Sequence, residues 1–189
     1  MQEEPNFERR QEDFLSSVAL SRCSGKRVEI AFDEPELSSN GGALALGEVA
    51  KKSGLLRRLA HEISDDRDPS RIRHQTVDLL MQRVTQIALG YEDANDCDEL
   101  RHDVAIRAAV GKLNEGDFLA SQPTMTRLEN RVGLRDLIRL FYAMIDDFLD
   151  SYDKTPQALV LDLDPTAHVL YGQQELGLFN AHYLSLIHI

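Results

Sequence analysis

The chain has 189 residues, 42% of them hydrophobic and 28% charged, with 32 acidic against 21 basic side chains and a formal net charge of -11. That is enough apolar material for one sizeable core, or for a core and part of another, and the acidic balance excludes a whole-molecule basic field that would hold nucleic acid without specificity. With no apolar run long enough to span a membrane, and an acidic start (Met1, Gln2, Glu3, Glu4) where a signal peptide would be basic, the expectation is a cytoplasmic protein without a membrane partner.

Residues 1–27 mix charges and serines with few spaced apolar positions and read as a variable arm, at best a short helix. Val28, Ile30 and Phe32 alternate with Glu29, Ala31 and Asp33, the period of a half-buried strand stopped by Pro35. Beyond a loop at Ser38, Ser39, Asn40, Gly41 and Gly42 the pattern becomes helical, and residues 28–153 read as a mainly α region. Its clearest helix runs from about His74 to Leu89, with Val77, Leu80, Met81, Val84, Ile87 and Ala88 at spacings of three and four, and ends at Gly90. A second long helix follows Gly133, with Leu137, Ile138, Phe141, Met144, Ile145, Phe148 and Leu149 on one face. These two stripes are expected to form the core, and shorter helices are expected to begin at Asn95 and Thr124. Cys23 and Cys97 lack metal-site spacing and read as reduced thiols. Between Arg57 and Arg83, Arg58, Arg67, Arg71, Arg73, His61 and His74 allow a local basic face, beside the plainer reading of a mixed-charge solvated surface.

After Asp153, Lys154, Thr155 and Pro156 the texture changes. Ala158 to Leu161 is a short apolar run that passes into alternation at Asp162, Leu163 and Asp164, the pattern of a buried strand carrying two carboxylates at its end. Side chains two apart on a strand share a face, so Asp162 and Asp164 would project together and could bind a divalent cation such as magnesium for phosphoryl transfer. Two classes use such a strand. In haloacid-dehalogenase-like phosphatases the pattern is D-x-D-x-T, which Asp162, Asp164 and Thr166 fit, with Asp162 as nucleophile and Asp164 as acid/base. In DDE transposases the first catalytic aspartate ends a strand of a ribonuclease-H-like sheet, and that residue would be Asp164. A phosphatase normally begins with its motif, whereas here the motif follows a long helical region; a non-catalytic helical interaction module is the third reading.

The surrounding residues point one way. Phe32-Asp33-Glu34-Pro35 with Gly41-Gly42, the stretch from Ile87 to Asp96, Leu100-Arg101-His102-Asp103, Ser121-Gln122-Pro123-Thr124 leading to Arg127-Leu128-Glu129-Asn130, and Gly172-Gln173-Gln174-Glu175 with Phe179-Asn180 stand in order along the chain. Together they resemble the DDE group 1 transposases of the insertion-sequence thirteen-eighty family, from about Phe32 to Tyr183. The resemblance implies terminal-repeat binding, DNA cleavage and strand transfer by two-metal chemistry with Mg2+ or Mn2+ in the full-length enzyme, which could act as a homodimer. It implies a metal role for Asp164 with Asp162 beside it, a catalytic role for Asp164, and a DNA-contacting helical region in which Arg71, Arg73, His74, Arg83, Arg127 and Arg131 are the candidate phosphate contacts. The more apolar loop from Pro165 to Tyr171 departs from the family pattern and leaves roles for His168 and Tyr171 open.

The fold expected is therefore a mainly α N-terminal region followed by the first strands of a truncated ribonuclease-H-like α/β catalytic domain, beginning in residues 154–183. The second aspartate and the glutamate of the triad have no counterpart in the chain, so the expectation is an inactive N-terminal fragment. The last six residues, Leu184 to Ile189, match the translation of a transposon-end adapter and read as an adapter-derived tail, beside the alternative that they are the next apolar strand of the family.

Overall fold

The computed structural model describes residues 18–30, 39–161, 168–169, 178–181 and 185–188, and the chain divides into two compact units, Met1–Ser151 and Tyr152–Ile189. In the first unit, β1 (Val18–Ala19) pairs antiparallel with β2 (Glu29–Ile30), Val18 opposite Ile30. Ser24 at φ 49° and Gly25 at φ 77° supply two successive left-handed residues that close this hairpin. The strand read at Val28 and Ile30 is present, but its neighbour comes from the stretch read as a loose arm; Phe32 and Pro35 lie outside the described residues.

The rest of the unit is helical, as the mainly α reading requires: α1 (Gly42–Ser53), α2 (Leu55–Glu62), α3 (Thr76–Ala88), α4 (Cys97–Leu100), α5 (Val104–Val110), α6 (Gln122–Arg131) and α7 (Leu134–Asp150), with single 3₁₀ turns at Pro69–Arg71 and Ala94–Asp96. Helix starts differ from the reading by a residue or two for local reasons. The Asp93 carboxylate accepts from the Asn95 amide at 2.8 Å, so the turn begins ahead of Asn95, and Pro123 presets the first turn of α6 two residues before Thr124.

Two small apolar clusters hold the unit together. One joins Ala43, Leu100, Ile106, Ala109 and Leu119, with Leu89, Tyr91 and Val110 packed against it. The other joins Leu79, Cys97, Ala120, Met125 and Leu128. Helix α3 runs between them, but it does not bury the stripe its periodicity suggested. Leu79, Met81, Gln82, Thr85 and Gln86 face inward, while Ile87 is 47% exposed. The reason is a hydrogen-bonding one: buried Gln82 donates Nε2 to the Ala120 carbonyl at 2.9 Å and accepts the Ala120 amide at 2.8 Å, satisfying an extended segment that no strand pairs. Gln86 accepts from the Cys97 thiol at 3.2 Å.

Helix α7 departs further from expectation. Its polar side holds it to α2: Asp136 is buried, accepts the Ser64 amide at 3.1 Å and the Gly133 amide at 2.9 Å, and takes an ion pair from Arg139; Arg139 also donates to the Glu62 carbonyl, and Arg58 pairs with Asp147. Its apolar stripe is therefore turned outward. Leu134, Leu137, Ile138, Phe141, Tyr142, Met144, Ile145, Phe148 and Leu149 are 37% to 74% exposed, and the expectation that this stripe is core is overturned.

In the second unit, β3 (His168–Val169) and β4 (Leu178–Asn180) both pair antiparallel with the central β5 (Ser185–His188). Residues 158–161, read as the start of a buried strand, belong to no strand, and Val160 and Leu161 are 96% and 83% exposed, because no strand runs beside them among the described residues. Asp162 and Asp164 lie outside the described residues.

Candidate nucleic-acid interface

The segment between α2 and α3 is short of regular structure and rich in charge, so its shape depends on side chains. Arg67 closes it. Its guanidinium grips both oxygens of Asp65, Nε at 2.7 Å and Nη2 at 2.6 Å, while Nη1 donates to the His74 carbonyl at 3.1 Å and Nη2 to Thr76 Oγ1 at 3.3 Å. The Thr76 hydroxyl donates to Asp65 at 2.8 Å, and Arg131, at the end of α6, reaches the same carboxylate at 3.0 Å. The Arg67 bonds, with help from Thr76 and Arg131, hold the Asp65 carboxyl far below the usual carboxylate range.

Arg71 and Arg73 project from this closed segment, both exposed. Immediately after them α3 starts at Thr76, with Gln75 at its N-cap, no side chain capping it and Asp78 in its first turn. A groove there is lined by Gln75, Thr76 and Val77 on one side and by Arg57, Ala60 and His61 of α2 on the other. Arg57 and His61 are one helical turn apart and share a face. The combination of amides that no side chain caps and the Arg57 guanidinium is one that can receive a phosphate oxygen.

The candidate residues divide by environment. Arg71 sits 3.5 Å from Asp68 and stays open, and Arg127 is exposed on α6. His74 is half-buried; burial first, then the positive charges of Arg73 and Lys112, push its imidazole below the ordinary value, so it stands uncharged at neutral pH. Arg83 is consumed internally, Nε to Glu129 at 2.6 Å and Nη2 to the Glu92 carbonyl at 2.8 Å. Arg131, besides its bond to Asp65, is largely buried, with side-chain exposure of 17%. Arg57 and His61 belong to the local basic face read from the sequence but were not among the candidate phosphate contacts, although their spacing of four on an amphipathic helix was there to find. Beside this region, Phe118 lies under Arg101 and Arg107, with ring-centroid distances of 5.8 Å and 5.7 Å, and edge-to-face with His102.

The two phosphoryl-transfer readings of the carboxylate strand are separated by comparison with known families. The family model described as Transposase DDE domain group 1 matches residues 20–188. The chain belongs to the DDE group 1 transposases. No curated protein and no solved structure matches it. The match takes in the helical unit and the antiparallel β3-β5-β4 sheet, including Ser185–His188. As a transposase domain, the chain has DNA as its substrate class, and such domains use divalent metal ions. Among the described residues no group of three or more His, Cys, Asp or Glu is gathered as a metal would need, and no helix is long and apolar enough to cross a membrane. The two aspartates assigned to the metal lie outside the described residues.

Proposed function

We propose that this chain is the DNA-end-binding N-terminal portion of a transposase of the insertion-sequence thirteen-eighty family, and that its helical unit grips the terminal inverted repeat by the backbone. The family match across residues 20–188 carries this reading. The groove at the start of α3 supports it locally: Arg57 lines it beside helix amides that no side chain caps, and the exposed Arg73 lies just ahead of it in the chain, on a protein whose net charge is -11. In the full-length enzyme, Asp164 with Asp162 would open the metal-binding set of a ribonuclease-H-like catalytic domain, with Mg2+ or Mn2+ supplying charge stabilisation at the scissile phosphate.

The test is fluorescence anisotropy of the chain with a labelled terminal-repeat duplex and a scrambled duplex over a salt series. Log affinity falls linearly with log salt, and Arg57→Ala and Arg73→Ala each lower the slope by about one. Absence of binding to either duplex at low salt would overturn the reading.

A further inference from the structure

Two arginines lie on the Phe118 ring, and only one of them has work inside the fold. Arg107 donates Nε to the Lys112 carbonyl at 3.1 Å and to the Asp117 carbonyl at 3.0 Å, and Nη2 to the Asn114 carbonyl at 2.8 Å, so it shapes the loop after α5. Arg101 is placed by its backbone: its carbonyl accepts the Leu119 amide at 3.2 Å, which sets its guanidinium carbon 5.8 Å from the Phe118 ring centre. Among the described residues its side chain has no acceptor, and its Nε is buried without a partner. The acids close to it in sequence are committed elsewhere. Asp103 caps α5 through the Ile106 amide at 2.9 Å and accepts from Asn40 at 2.8 Å, and Asp98 accepts the Gln122 amide at 3.0 Å. A guanidinium held on a ring with no counter-charge is half of an anion site.

The other half comes from the start of α3. Lys112, just past the end of α5, pairs with Asp78 in the first turn of α3 at 2.9 Å, so these two helix ends meet. His74, half-buried two residues ahead of α3, feels Arg73 from its own segment, Lys112 from the end of α5 and Arg101 from the end of α4, with Asp78 as the acid that opposes them. Three cations against one carboxylate keep the imidazole neutral, on a protein that is acidic as a whole. An anion arriving among them offsets that repulsion and favours the charged imidazole, which then donates to it. We propose that Arg101 and His74 form a second phosphate site, where a DNA backbone phosphate binds the Arg101 guanidinium and His74 takes up one proton from solvent as it binds. The backbone as the source of the phosphate rests on the DNA-binding reading; the site itself rests on the cluster.

The test is an NMR titration of the His74 ring protons in the full chain, in chloride and in inorganic phosphate at matched ionic strength. The expected result is a His74 midpoint about one pH unit higher in phosphate, a rise that Arg101→Gln abolishes at unchanged helical circular dichroism. A midpoint in the unaltered chain that is indifferent to phosphate overturns the inference, whether or not the variant folds. So does a rise that survives in a folded Arg101→Gln. Fluorescence anisotropy with the terminal-repeat duplex at constant salt separates the sources of phosphate. Binding is expected to be about fivefold tighter at pH 5.5 than at pH 7.5, and His74→Gln to remove most of that difference. A pH dependence as steep in His74→Gln as in the wild type overturns the assignment to backbone phosphate. No duplex binding at either pH, with the response to inorganic phosphate intact, supports a site for free phosphate and sinks the DNA-binding reading instead.

Discussion

Gly47 and Ala109 bring α1 and α5 into backbone contact: a Cβ built on Gly47 would stand 2.7 Å from the Ala109 Cα and 3.0 Å from its carbonyl oxygen. Both obstacles are backbone, held in helices that pack on the same cluster, so neither can move aside cheaply. Gly47→Ala is expected to destabilise by about 1–3 kcal/mol through overpacking, in spite of the higher helix propensity of alanine. Urea denaturation should show a lowered midpoint at unchanged slope; a stabilised variant would mean that the helices are free to separate.

Gln82 is the only partner of the buried Ala120 amide and carbonyl among the described residues. Gln82→Leu keeps the volume but strands both groups, at an expected cost of about 2–4 kcal/mol. The accompanying sign is local: the Ala120 amide should exchange with solvent far faster than its neighbours in α6, as amide exchange by NMR would report.

Acid should weaken the helical unit in two stages. His74 has a depressed value in the folded protein, so below its unfolded value of about 6.5 the unfolded chain takes up the proton first and stability begins to fall. The carboxylates of Asp65, held far down chiefly by Arg67, and Asp136, lowered to about 2 chiefly by the Gly133 amide, contribute stability present above about 4 that is lost as pH falls toward their folded values. Urea midpoints measured from pH 8 to pH 2.5 should show both steps. His74→Gln should remove the upper one alone, and Asp65→Asn should lower stability at pH 7 by about 2–3 kcal/mol while flattening the lower one.

The thiols give a check on packing. Cys97 is fully buried, with burial raising its value, and Cys23 is 3% exposed. With a disulfide exchange reagent at pH 8 both should react only at the rate at which the native structure opens, and at once in denaturant. Rapid modification of Cys97 in the native protein would show that the Leu79 and Met125 cluster around it is open.

Helix positions were largely legible because local signals set them: Gly90 ends α3, Gly133 precedes α7, and both spans follow the 3.6-residue period. What each helix buries was not legible, because periodicity assumes that apolar side chains face inward. In α3 the inward positions include Gln82 and Gln86, whose partners Ala120 and Cys97 are brought near only by the fold. In α7 the inward positions include Asp136 and Asp147, matched to Ser64 and Arg58 across more than seventy residues. The arginines followed the same rule. Arg83 and Arg131 looked like their neighbours Arg73 and Arg127 until Glu129 and Asp65, 46 and 66 residues away, were found against them. Family membership was legible for a different reason: it rests on the order of many short residue groups, which survives ignorance of what each side chain touches.

Arg67, finally, fastens the ends of the segment that carries Arg71 and Arg73, through Asp65 on one side and His74 and Thr76 on the other. A flexible loop would lose about 1–2 kcal/mol of backbone freedom per residue on meeting a duplex. Here that freedom is surrendered when the protein folds, so under the proposed DNA-binding reading the two arginines would reach the sugar-phosphate rail already in register, and encounter would require only that the rail fit.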